Sequence, residues 1–201
     1  MKNFKLITLI LAVSMLLTGV LGGTVAWLVD KTEPVVNTFT YGDINIDLDE
    51  TPTPDDDDNP DTNEYEMIPG EEITKDPKVT VNTDSKASWL FVKLVKSDNF
   101  DDFMEYEIAD GWFPLTDDQG NIVTGVYFRE QTEVTGEDVV IEVIKDNKVR
   151  VKETVTKEML NALDAGEGAA NYPTLTFTAY AIQQSNGTGT FTVEQAWAKI
   201  N

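Results

Sequence analysis

Four consecutive carboxylates, Asp55, Asp56, Asp57 and Asp58, are the densest set of potential ligand atoms in the chain. Clustered carboxylates supply the oxygens that calcium takes, but this run lacks the spaced ligands and turn glycine of an EF-hand. Two readings of it stand, a calcium loop and a solvated, self-repelling linker. Other chemistries fall to composition. The 201 residues contain no histidine and no cysteine, which removes disulfides, thiol nucleophiles, the Ser-His-Asp triad and imidazole or thiolate zinc ligands. No paired Asp-Thr/Ser-Gly signature of an aspartic protease is present, and Asn82-Thr83-Asp84-Ser85 reads as a turn. Trp112, Tyr127 and Phe128 could serve a sugar-binding face if exposed, or the core if buried. Asn186-Gly187-Thr188 matches a glycosylation acceptor and equally suits a hairpin tip. No catalytic residue set emerges, so the expectation is a protein that is not an enzyme and has no cofactor beyond calcium.

The elements that must position these residues begin with the N-terminus. Lys2 and Lys5 precede a stretch from Leu6 to Val29 with no charged residue, 24 residues in all. That length could span a bilayer. Its greasy part ends at Leu21, however, and Gly22 and Gly23 then lead into Thr24-Val25-Ala26. Small residues at Thr24 and Ala26 suit a signal peptidase cutting before Trp27. The expected organisation is a signal peptide over 1–26, an N-terminal strand arm over 27–50, an acidic, proline-spaced linker over 51–64 and a globular domain over 65–201. The whole chain carries 15 basic and 36 acidic residues for a net charge of -21. Removing the leader takes away only two lysines, leaving 13 basic residues and a net charge of -23. Such a surface repels nucleic acid and anionic lipid, so membrane contact is expected only of the uncleaved precursor.

Beyond the leader, the apolar period is mostly two. Asn37 to Leu48 reads as a kinked strand, with Phe39 and Tyr41 in one phase and Ile44, Ile46 and Leu48 in the other, across Gly42-Asp43. From Asp47 to Glu72 come twelve acidic residues, no basic ones and four prolines, too little apolar surface to offset ordering entropy. Val79 and Val81 alternate with polar neighbours, and Ala87 to Val95 is apolar on both faces, as a central strand would be. Trp112 and Tyr127-Phe128 flank a turn at Asp117 to Asn121. Val139, Ile141 and Val143 oppose Val149 and Val151 about Asp146-Asn147, which reads as a hairpin. Thr156 caps a short helix carrying Met159, Leu160 and Leu163 and ended by Gly166. Leu175, Phe177, Ala179 and Ala181 line one strand face opposite threonines. Thr192 to Gln195 fits a capping box for a helix whose Trp197 plugs one end of the fold. The expected fold is all-β, an antiparallel β-sandwich of jelly-roll or immunoglobulin-like topology, with short peripheral helices and an N-terminal signal helix.

The stretch "GGTVAWLVD", then "NTFTYGDINIDL", then "MIPGEEITKDPKVTVNTDSKASWLFVKL" resembles the TasA/camelysin family of Gram-positive surface and matrix proteins. The match in order and spacing runs to about residue 95 and includes Trp27, Asp30, Phe39, Gly42, Ile44, Ile46, Pro69, Gly70 and Asn82. "LTFTAYAIQQ" and "VEQAWAKI" are similar to the closing strand and helix of many proteins with this leader. Asn99 to Ala170 carries no such likeness, and Trp27 stands where a small residue often sits in the family.

The resemblance implies a jelly-roll topology, processing by a SipW-type signal peptidase, secretion to the cell surface or extracellular matrix, and self-association into biofilm matrix fibres with matrix or cell-wall components as further partners. Phe39, Tyr41, Ile44, Ile46 and Leu48 are then the candidate assembly strand, added to the sheet edge of a neighbour. A monomeric adhesin or carbohydrate-binding module is the alternative. The metalloprotease activity described for camelysin-like proteins lacks its usual ligands here.

Overall fold

Short alternating segments bounded by Asp, Gly and Pro turns each have one pleated face to bury, and sheets are the result. The computed structural model describes residues 29–31, 44–51, 65–164 and 171–200. Among these residues the strands are β1 (Val29–Lys31), β2 (Ile46–Asp49), β3 (Glu72–Thr74), β4 (Lys78–Val81), β5 (Ser88–Lys96), β6 (Met104–Ile108), β7 (Phe113–Thr116), β8 (Ile122–Gln131), β9 (Val139–Glu142), β10 (Ile144–Val151) and β11 (Leu175–Gln183). Three short helices join them, α1 (Phe100–Phe103), α2 (Lys157–Asp164) and α3 (Val193–Ile200). The strands form a five-stranded sheet in the order β1-β11-β5-β8-β7 and two three-stranded sheets, β3-β10-β6 and β2-β4-β9. Every pairing is antiparallel.

The main core joins one face of the five-stranded sheet to the β2-β4-β9 sheet. Leu90, Val92 and Leu94 of β5 and Phe177, Ala179 and Ala181 of β11 meet Ile46, Val79, Val81 and Ile141 there. As its sequence suggests, β5 is central, flanked by β11 and β8. Val79 and Val81 are buried on β4, and the β7–β8 hairpin turns at Asp117 to Asn121, where Asp117 Oδ1 accepts the N–H of Gln119 and of Asn121. The opposite face of the five-stranded sheet holds a second core. Phe91, Leu115, Val126, Tyr180 and Ile182 lie there beneath Ala196 and Trp197 of α3. Trp197 therefore covers a sheet face, its ring centroid 5.2 Å from that of Phe91 in a tilted contact and 5.6 Å from that of Tyr180 edge to face, and not the end of the fold that its sequence position suggests. The reason lies on β11, where only Thr176 and Thr178 oppose the main core before Tyr180 and Ile182 turn that face apolar. A third core sits under the β3-β10-β6 sheet, where Phe100 and Phe103 of α1 and Leu163 of α2 meet Val149 and Val151.

Both expected caps form. Thr192 N–H donates to Gln195 Oε1 at 3.1 Å while Gln195 N–H donates to Thr192 Oγ1 at 3.3 Å, the reciprocal capping box. Thr156 Oγ1 accepts the N–H of Met159 at 3.3 Å at the start of α2. Gly166 lies outside the described residues.

The expected hairpin across Asp146-Asn147 does not form. β9 pairs with β4, whereas β10 pairs with β3 and β6, so the chain changes sheets at Val143. Asp146 and Asn147, each at φ 55°, make a bulge within β10. Its register jumps there from Ile144 opposite Ile108 to Val149 opposite Tyr106. Asp and Asn tolerate the left-handed region, and that tolerance serves a bulge as well as a hairpin turn.

Candidate functional site

The N-terminal segment enters the fold twice. β1 adds to the edge of the five-stranded sheet, Val29 opposite Ile182, Asp30 opposite Ala181 and Lys31 opposite Tyr180. β2 adds to β4, Ile46 opposite Val81 and Asp49 opposite Lys78. Of the expected assembly residues, Ile44 and Ile46 are 5% and 2% exposed and belong to the main core, with Leu48 packed against it. The phase read from sequence is the buried one. Phe39 and Tyr41, with the kink at Gly42-Asp43, lie outside the described residues, as do Thr24, Ala26 and Trp27 of the expected cleavage site. The two strands are held unequally. Two isoleucines fully removed from water contribute about 1.5–3 kcal/mol each to holding the β2 segment, while β1 is three residues long.

Polar bonds fix β2 at both ends. At its start Asn45 O accepts the N–H of Asn82 at 3.0 Å, and Asn82 Nδ2 donates to Asp47 Oδ2 at 3.0 Å. At its end, Thr51 donates from its backbone N–H at 2.9 Å and from its hydroxyl at 2.7 Å to the two carboxyl oxygens of Asp76. Lys75 Nζ donates to both oxygens of Glu50 and stands 5.5 Å from the ring centroids of Tyr65 and of Phe177. The Tyr65 phenol is held above its ordinary value by burial first and then by the charges of Glu50 and Asp76, and it donates to Glu50. Burial pushes the Asp76 carboxyl up, but hydrogen bonds from Lys78 and Thr51 outweigh it and leave Asp76 below its ordinary value. Asp49 is raised by burial and by the Asp47 charge.

Glu50 and Thr51 end one described segment and Tyr65 begins the next. Glu50 and Thr51 on one side of the acidic stretch 52–64, and Tyr65 on the other, meet at one clamp, built on Lys75 and Asp76. Asp55, Asp56, Asp57 and Asp58 lie in that stretch, outside the described residues. Among the described residues, no group of three or more acidic side chains is arranged to hold a metal ion.

The aromatic candidates separate. Trp112 is buried, 6% exposed, in the main core, and its indole N–H donates to Glu142 O at 2.8 Å. It offers no face to a sugar. Tyr127 and Phe128 are half-buried on opposite faces of β8, against the first and second cores. Phe113 offers an exposed ring, at 58%, whose centroid is 5.9 Å from that of Phe128. Its place at the start of an edge strand, just before Pro114, was the available sequence signal. Asn186 does occupy a hairpin tip, closed by the Ser185–Thr190 bridge.

No described helix is long and apolar enough to cross a membrane. Comparison with protein-family models, with curated proteins and with solved structures finds no match to this chain.

Proposed function

We propose that this chain is a secreted, acidic structural subunit of cell-surface or biofilm matrix fibres, assembling when the N-terminal strand of one copy completes the sheet of the next. In this reading the three sheets are the layers of a jelly-roll-like sandwich, residues 1–26 are a signal helix removed by a SipW-type peptidase, and the protein is a member of the TasA/camelysin group. The observation that carries it is the pairing of β1 with β11, since the segment just past the expected cleavage site is itself an added edge strand. Main-chain hydrogen bonds of that kind serve a neighbour's edge equally well. A strand passed head to tail does not close on itself and propagates as a filament. With a net charge of -23 once residues 1–26, and with them Lys2 and Lys5, are removed, like-charged copies repel, so calcium at Asp55 to Asp58 or raised salt favours assembly.

Electron microscopy of the purified secreted protein with and without calcium, together with its N-terminal sequence, tests this reading. Fibres and an N-terminus near Trp27 are expected. Discrete monomers that bind glycans would instead favour an adhesin, a reading supported by the exposed ring of Phe113 beside Phe128. A purified protein that keeps the Lys2 leader and never polymerises would end the fibre reading.

A further inference from the structure

The tip of the hairpin between β11 and α3 carries the one Asn-Gly pair in the chain, Asn186-Gly187. Its neighbours are arranged around the Asn186 side-chain amide. Asn186 Oδ1 accepts two hydrogen bonds, from Thr188 N–H at 3.0 Å and from the Thr188 hydroxyl at 3.1 Å. Gly187 N–H donates to Ser185 Oγ at 3.3 Å. Nothing stands within 4 Å of the place a Gly187 Cβ would take, and Gly187 lies at φ +86°. An amide carbonyl polarised by two donors is an electrophile, and the backbone nitrogen of Gly187, next to it in the chain and bonded to Ser185 Oγ, is the nucleophile.

We propose that Asn186 is a self-modifying site that closes on Gly187 and loses its side-chain nitrogen as ammonia. The Gly187 nitrogen gives up its proton through Ser185 Oγ to water and attacks Asn186 Cγ. The tetrahedral oxyanion forms at Oδ1, where Thr188 N–H and Oγ1–H already point, in the manner of an oxyanion hole. Nδ2 takes up a proton and leaves as ammonia, giving a five-membered cyclic imide. Water then opens the imide at either carbonyl. One product has aspartate at 186 and one more negative charge. In the other the backbone runs through the former side chain, which adds a methylene to the loop and disturbs the Ser185–Thr190 bridge that leads into α3. No oxidant, reductant or second reactant beyond water is needed.

The test holds the purified protein at mildly alkaline pH. Over days, the peptide spanning Gln184 to Phe191 is followed by mass spectrometry and ammonia release is measured. The same peptide, excised and incubated alone, gives the rate without the fold. Folded protein is expected to react at least as fast as that peptide, at Asn186 and not at Asn121 or Asn147. Thr188→Val and Ser185→Ala are each expected to slow the folded protein by about threefold to tenfold, less than loss of a donor from a water-excluded oxyanion hole. Slower reaction in the folded protein than in the free peptide overturns the proposal, as does either variant reacting at the parental rate.

Discussion

Lys75 Nζ stands 2.8 Å from Glu50 Oε1 and 2.9 Å from Glu50 Oε2, tying the residue after β3 to the residue after β2. The side chains are 12% and 20% exposed, so the pair is neither a surface contact nor fully withdrawn from water. Exposed pairs contribute at most about 1 kcal/mol, and breaking a buried one costs about 3–5 kcal/mol. Lys75→Met is expected to fall between, at about 1–3 kcal/mol, because it leaves Glu50 without its cation beside the Tyr65 phenol. Urea denaturation measures the loss. Amide exchange at Ile46 to Asp49 should rise with it, and unchanged exchange there would mean that the clamp does not hold β2.

Acid should loosen the same region. Asp76 lies below its ordinary value of 3.8 in the folded protein, since hydrogen bonds from Lys78 and Thr51 overcome its burial. Glu72, bonded by Lys148 and Arg150, is lowered from 4.5 to about 2. For a carboxyl with a depressed folded value, the unfolded chain binds the proton first on acidification. Its stabilising effect is thus complete above the ordinary value and lost as pH falls through the folded one. Stability should decline below about pH 4, and Asp76→Asn should be less stable than the parent at pH 7 with a shallower decline. Glu72 is exposed and its pairs are screened by water and salt, so Glu72→Gln should flatten the curve less. Equal acid limbs for Asp76→Asn and the parent would remove Asp76 from the account.

How far these features can be read from sequence depends on how local their causes are. β4, β5 and β11 were legible because alternation or a continuous apolar run fits within one strand. The β7–β8 hairpin was legible because its turn chemistry lies between its strands. The step from β9 to β10 was not, because Val143 carries no turn signal while Asp146-Asn147, which does, is spent on a bulge. The second core was hidden by the threonines that share a face with Tyr180 and Ile182. Lys75 and Glu50 are 25 residues apart, and no periodicity links a lysine after one strand to a glutamate after another. Sequence leaves Trp112 as either a core ring or a sugar platform, because composition alone does not reveal the carbonyl of Glu142 that its indole N–H reaches.

A single backbone contact on β8 makes a sharp test of the five-stranded sheet. Gly125 lies at φ +72°, and a Cβ there would run into the carbonyl oxygen of Leu94 on β5. Gly125→Ala carries both the strain of a side chain in the left-handed region and a clash with backbone that cannot rotate away. A loss of about 2–4 kcal/mol in denaturant unfolding is expected, the size reserved for strain at a special conformation. Gly120→Ala is the control. It shares the positive φ, at +84°, but has nothing within 4 Å of the new Cβ, so it should cost less than half as much. Equal losses would show that the close approach to Leu94 O is unimportant.

The two N-terminal strands predict different outcomes for two truncations of the chain that begins at Trp27. Removing residues 27–43 takes away β1 and leaves Ile44, Ile46 and the Lys75 and Asp76 clamp in place. Removing residues 27–48 also takes two buried isoleucines and the first three residues of β2 out of the main core. Large-to-small changes at single buried isoleucines cost about 2–5 kcal/mol each, comparable together to the whole stability of a small domain. The shorter truncation should therefore stay folded, and the longer one should unfold or aggregate without forming ordered fibres. If β1 is the strand passed between copies, the shorter truncation leaves the β11 edge open beside Ala181 and gives a folded protein that accepts a neighbour's strand but donates none. It should form no fibres alone and should stop the growth of parental fibres when mixed with them, read by electron microscopy and by sedimentation. Fibres of parental form from the 27–43 truncation by itself would show that β1 only completes its own sheet, and would leave the fibre proposal without its carrying observation.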